Sequence, residues 1–216
     1  MSEPVFDASA GNKVSSGSSN SWSHTVGNFS NRILLVWVDT GLGVSGVTFN
    51  GVALTQLAVV NYNSNNEHLY LFYLLNPPVG TYTVAVTASG TTYIVGLSES
   101  YYNAAQSGSF GTVASNAGSG TASSNTVAST STSQIIIDGV NNGAASTATP
   151  TAGQTKRYQT ASSGAAAGDI AATGGNMTLS WSFSSGVWAE ISVPLNGIAS
   201  SLVRHELADG YGGLFQ

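Results

Sequence analysis

Residues 81–90 read "TYTVAVTASG", and their alternation decides the fold class. Tyr82, Val84 and Val86 fall on one face of an extended chain, and Thr81, Thr83, Ala85 and Thr87 on the other. That period of two belongs to a strand with one face in a core. The segment just before it, "NPPVG" (residues 76–80), carries two prolines that remove backbone donors, so the preceding strand "EHLYLFYLL" (67–75) ends there.

The same signals recur in both directions. "RILLVWVD" (Arg32–Asp39) is a continuous apolar run, as expected of a strand covered on both faces. "GVTFNGVALT" places Asn50-Gly51 between two short apolar segments, and that dipeptide accepts the positive φ angles of a type I′ hairpin. "TTYIVGLSESYY" is a further strand running to Tyr101 and Tyr102. "QIIIDGV" is another, and "TKRYQT" a lesser one. In "MTLSWSF" the residues Met177, Leu179, Trp181 and Phe183 share a face. In "VWAEISVPL" Val187, Ala189, Ile191, Val193 and Leu195 do so, with Ser184-Ser185-Gly186 expected to join the two as a hairpin. Residues 103–133 and 142–176 are dominated by Ser, Thr, Ala, Gly and Asn, and are compatible with disorder or with short edge strands. The expectation is an all-β chain, an antiparallel β-sandwich of jelly-roll type with about ten to thirteen short strands. One domain is expected over 1–198, followed by a tail at 199–216.

Composition narrows the partners. Of 216 residues only 7% are charged, against roughly 25% in an average soluble protein. Hydroxyls and amides take the place of charge on the surface. Five basic residues in a chain of net charge −5 do not make a nucleic-acid footprint, and Lys156-Arg157 is the one basic pair. No apolar run approaches the roughly 20 residues of a membrane-spanning helix. There is no cysteine, and "MSEPVFDASAGNK" has neither the basic start nor the apolar centre of a secretory signal. Between Arg32 and Lys156 there is no Lys or Arg for a trypsin-like protease, which suits service outside cells.

The order "NRILLVWV", "GVTFNGVAL", "LYLFYLLNPPVGTYTVAVT", "LSESYYNAA" and "WAEISVPL" resembles β-sandwich domains of bacteriophage virion proteins and large bacterial surface proteins. The resemblance covers about residues 20–198. It implies a jelly-roll or concanavalin-like sandwich with an adhesive or assembly role, and it carries no catalytic residues.

Chemistry is hard to find. Glycosidases need two flanking carboxyl groups, but the ten acids are scattered and Glu190 has no acidic companion within four residues. His24, His68 and His205 are the only imidazoles, and no Gly-x-Ser-x-Gly elbow accompanies them. "DGVNNG", with Asp138, Asn141 and Asn142, reads as a turn rather than a calcium loop. No catalytic residue, cofactor or metal is expected. Trp22, Tyr62, Tyr101 and Tyr102 are the candidate glycan-contacting aromatics, while Trp37 and Trp181 read as core.

The end of the chain differs from the body. "SSLVRHELADGYGGLFQ" puts Arg204, His205, Glu206 and Asp209 within six positions after a nearly uncharged domain. Ser200 or Ser201 can cap a short helix that Gly210 stops. Two turns alone are unstable in water, and Tyr211, Leu214 and Phe215 are apolar. Arg204, His205, Glu206, Tyr211, Leu214 and Phe215 are therefore the expected assembly contacts, to other virion proteins or to copies of the chain. A trimer is the first expectation, and a host surface glycan a further partner. The leading reading is a non-enzymatic virion structural protein made in the host cytoplasm, a bacteriophage capsid-decoration or tail-associated protein. The alternative is a carbohydrate-binding or adhesin module at a bacterial surface.

Overall fold

The computed structural model describes residues 2–151 and 153–198, and every regular element among them is a β-strand. The segment carrying the expected helix and assembly contacts, 199–216, lies outside the described residues.

Seven strands form the first sheet: β1 (Val5–Val26), β2 (Ile33–Thr40), β3 (Val44–Phe49), β4 (Val52–Ala53), β5 (Thr55–Tyr62), β6 (Glu67–Leu75) and β7 (Gly80–Tyr102). Their order is β4-β3-β7-β2-β6-β5, with β1 along the other edge of β7. All pairings are antiparallel. The two strand segments read separately at 81–90 and 91–102 are one 23-residue strand. Its first half pairs with β3 and its second with β2, while β1 follows it throughout. Register shifts between Val14 and Ser19 mark where β1 and β7 bend together. The bend curls the sheet over itself into a nearly closed barrel.

Curling explains the unbroken burial of "ILLVWVDT". Leu34, Val36 and Val38 face inward with Val47, Phe49, Val84 and Val86, forming a core within the curled sheet. Ile33, Leu35 and Trp37 face the other way. At the tip of β3, Asn50 and Gly51 have φ of 50° and 76°, as the type I′ reading requires.

The remaining strands are β8 (Ala114–Ala122), β9 (Asn125–Ala128), β10 (Gln134–Asn142), β11 (Thr149–Pro150), β12 (Thr155–Gln159), β13 (Ala166–Ala171), β14 (Asn176–Leu179) and β15 (Trp181–Asn196). The second sheet runs β11-β15-β10-β13-β12, with β8 on β15, and β9 and β14 make a small ribbon. Ile135 and Ile137 of β10, Ala167 of β13, and Ala189, Ile191, Val193 and Leu195 of β15 pack against Ile33, Leu35, Trp37, Leu69, Leu71, Val95 and Leu97. The two sheets thus share one core. Gly139 is part of this fit, since a Cβ there would lie 2.5 Å from the Trp37 ring.

Two expectations are corrected, and one left open is decided. The strands number fifteen among the described residues, and β1, β7 and β15 are long rather than short. Ser184-Ser185-Gly186 makes no hairpin; β15 runs through it, with its register against β8 shifted between Ser182 and Gly186. The Ser/Thr-rich stretch 103–133, read as open between disorder and short edge strands, contains β8 and β9, whose backbones pair with β15 and β14.

Candidate functional site

At one end of the shared core the apolar rows change character. Ile33, Leu35 and Trp37 of β2 face the second sheet, and alternation brings Asp39 to the same face. On β10, Ile135 and Ile137 face the first sheet, and Asn141 follows them. The two polar side chains therefore meet between the sheets. Asn141 Nδ2 donates to Asp39 Oδ2 at 2.9 Å and to the Tyr62 hydroxyl oxygen at 2.7 Å. Tyr62, from the end of β5, donates its own proton to Asp39 Oδ1 at 2.6 Å.

Asp39 is 1% exposed, and burial pushes its carboxyl up to about 7, with Glu67 adding in the same direction and the Tyr62 hydrogen bond opposing. Burial and then the Asp39 charge keep the Tyr62 and Tyr93 phenols protonated and available as donors. Above Asp39 opens a cleft of about 300 Å³, lined among others by Lys13, Glu67, Tyr93, Asn142 and Gly164. Lys13 Nζ donates to the Ser162 carbonyl at 2.7 Å.

A second polar cluster sits further along the same interface. Arg157 grips Asp169 with two hydrogen bonds, Nε to Oδ2 at 2.7 Å and Nη2 to Oδ1 at 2.9 Å. Its guanidinium lies 4.4 Å from the Phe6 ring centroid. The Tyr101 hydroxyl donates to Asp169 Oδ2 at 2.9 Å and lies 3.4 Å from Glu99 Oε2. Burial, and then the Asp169 charge, pushes Glu99 up to about 8, so it carries a proton at neutral pH.

On the outer face of the second sheet, Asp138 accepts from Trp181 Nε1 at 2.6 Å, Ser192 Oγ at 2.7 Å and Gln154 Nε2 at 2.8 Å. Glu190 stands beside it, two residues before Ser192, the cross-strand partner of Asp138. Burial first, and the Asp138 charge second, drives Glu190 well above the carboxylate range. The acidic companion that local spacing does not supply to Glu190 comes from the neighbouring strand. Both residues are 0% exposed, so the pair has the composition of a glycosidase dyad without access to a substrate.

The imidazole of His24 also resolves into structure. Trp22 Nε1 donates to Ser98 Oγ at 2.8 Å, Ser98 Oγ lies 2.9 Å from His24 Nδ1, and His24 Nε2 lies 3.0 Å from Ser100 Oγ. Ser100 Oγ in turn donates to Asp7 Oδ2 at 2.8 Å. Because Ser100 gives its proton to Asp7, it accepts from Nε2–H, and Nδ1 accepts from Ser98. One neutral tautomer satisfies the row. Burial holds His24 down to about 4, against the opposing pull of Asp7. The aspartate bonds the serine rather than the imidazole, which is not the connectivity of a hydrolytic triad.

Of the aromatics singled out from sequence, Trp22, Tyr62 and Tyr101 are interior, at 8%, 4% and 0% exposure. Trp22 lies over Gly96, whose missing Cβ makes room for the ring. Tyr102 is half-buried and stacks on the exposed Phe29, with centroids 4.1 Å apart and planes at 14°. The tail residues Arg204, His205, Glu206, Tyr211, Leu214 and Phe215 lie outside the described residues. The stretch "DGVNNG", read as a turn, is strand as far as Asn142, with Asp138 and Asn141 on opposite faces of β10. Among the described residues no group of three or more His, Asp or Glu side chains could hold a metal ion, and no helix is long and apolar enough to cross a membrane.

Sequence reasoning missed Asp39, Tyr93, Lys13 and Glu67. The one available signal was the acid closing the run "RILLVWVD". No known protein family, curated protein or solved structure matches the chain.

Proposed function

We propose that this chain is a non-enzymatic structural protein of a virus particle, a bacteriophage capsid-decoration or tail-associated protein with a jelly-roll body. The observation that carries this reading is where the acids go. Asp39, Glu99, Asp138 and Glu190 are all interior, and Asp39 links the two sheets through Asn141. That leaves a surface of hydroxyls and amides suited to durability. The stretch from Arg32 to Lys156, free of tryptic sites, is built largely of paired strands. Assembly runs through Arg204, His205, Glu206, Tyr211, Leu214 and Phe215, to copies of the chain as a trimer or to other virion proteins.

Light-scattering mass of the full chain beside a version ending at Gly197 tests this. The proposal expects an oligomer that becomes a monomer on truncation. Two monomers of equal stability would overturn it.

A second reading, carbohydrate binding at a bacterial surface, draws on two features. One is the open polar cleft above Asp39, and the other is the stacked pair Phe29–Tyr102.

A further inference from the structure

We infer that the cleft between the two sheets, floored by Asp39 and walled by Lys13, Glu67 and Tyr93, is a binding site for one neutral sugar residue. This rests on the carbohydrate-binding reading and names its site.

The floor is built before any ligand arrives. Tyr62 and Asn141 fix both oxygens of Asp39, so the carboxyl cannot swing. A carboxylate has about four acceptor positions; Tyr62 and Asn141 occupy two, and Tyr93 bonds the same carboxyl. With Asp39 1% exposed, the floor is a brace, and the half-buried Glu67 carboxylate beside it takes the hydroxyl protons, of which adjacent ring hydroxyls present two at a suitable spacing. A carboxyl group bonds a hydroxyl in either protonation state, as acceptor when ionised and as donor or acceptor when neutral.

The walls choose against charge. Lys13 and Glu67 carry opposite signs across a small space. An anion would meet Glu67, and a cation would meet Lys13. A neutral polyol meets donors and acceptors without either repulsion. Tyr93, half-buried, is the one aromatic side chain of the lining, and supplies the apolar surface that a pyranose C–H face packs against. The volume, about 300 Å³, is at the small end of ligand pockets, which fits one residue of a chain whose neighbours remain in solvent.

The test is saturation-transfer NMR of the full-length protein with glucose, galactose, mannose and N-acetylglucosamine, each at millimolar concentration. At least one should receive saturation from the protein. Glu67→Gln should cut that signal tenfold or more while the melting temperature holds; Tyr93→Ala should cut it as far, at a lower melting temperature because Tyr93 also packs on the shared core. Tyr102→Ala should leave it unchanged. Transfer lost in Tyr102→Ala and kept in Tyr93→Ala would overturn the cleft while sustaining a sugar-binding surface. No transfer to any of the four sugars would overturn both.

Discussion

Asn141 and Asp39 stand 102 positions apart in the chain and meet between the sheets, the amide donating to the carboxylate at 2.9 Å. The same amide reaches Tyr62, so one side chain of the second sheet ties two strands of the first. Replacing it strands buried acceptors. Asn141→Ala should lower unfolding stability by about 1–3 kcal/mol, read from urea midpoints. A change within a few tenths would show that the link is replaceable by water.

Stability should fall as the solution becomes alkaline. Asp39 rises from 3.8 to about 7 on folding, and Glu99 from 4.5 to about 8. Below the unfolded values both states are protonated and this contribution is fully present. As pH rises through each window, the unfolded chain releases a proton that the folded one keeps, so stability is lost at up to about 1.4 kcal/mol per pH unit for each group. His24 acts oppositely on the acid side, because its pKa falls from 6.5 to about 4. Between those values the unfolded chain gains a proton that the folded one refuses, and stability falls as pH falls. Above 6.5 the acids act alone, so denaturant midpoints should drop from there to pH 8. Asp39→Asn should flatten the first part of that slope.

The row from Trp22 to Asp7 admits one imidazole tautomer. Nitrogen-15 spectra of the histidines should show His24 protonated at Nε2 and bare at Nδ1, and still neutral at pH 5. A His24 signal titrating near 6.5 would contradict the connectivity.

How far the sequence carried depends on the range of the interactions. Alternation in "TYTVAVTASG" and the Asn50-Gly51 turn are local, and both appear as read. The length of β1 was illegible because its first twenty positions hold few apolar residues, and only pairing along β7 makes it a strand. Trp22, Tyr62 and Tyr101 looked like loop or strand-end aromatics because nothing local shows that Gly96, Asp39 and Asp169 receive them. The cleft draws Lys13, Asp39, Glu67, Tyr93 and Asn141 from five strands, and the Asp138–Glu190 pair forms only when β10 and β15 lie side by side.

Close packing of the two sheets should be visible at Gly139. With Trp37 lying over it, Gly139→Ala must move an indole held in a full core. The expected cost is about 1–3 kcal/mol in thermal or chemical unfolding. An unchanged midpoint would mean that the sheets have slack there.

Asp39, sealed between the sheets and tied to Asn141, and Glu99, buried beside Tyr101, keep their protons well above the ordinary carboxylate range. A carboxyl carbon-13 NMR titration of the folded protein measures this directly. Asp39 and Glu99 should titrate above pH 6, near 7 and 8, well apart from the exposed acids. Every carboxyl titrating near its ordinary value, with the fold intact, would contradict it.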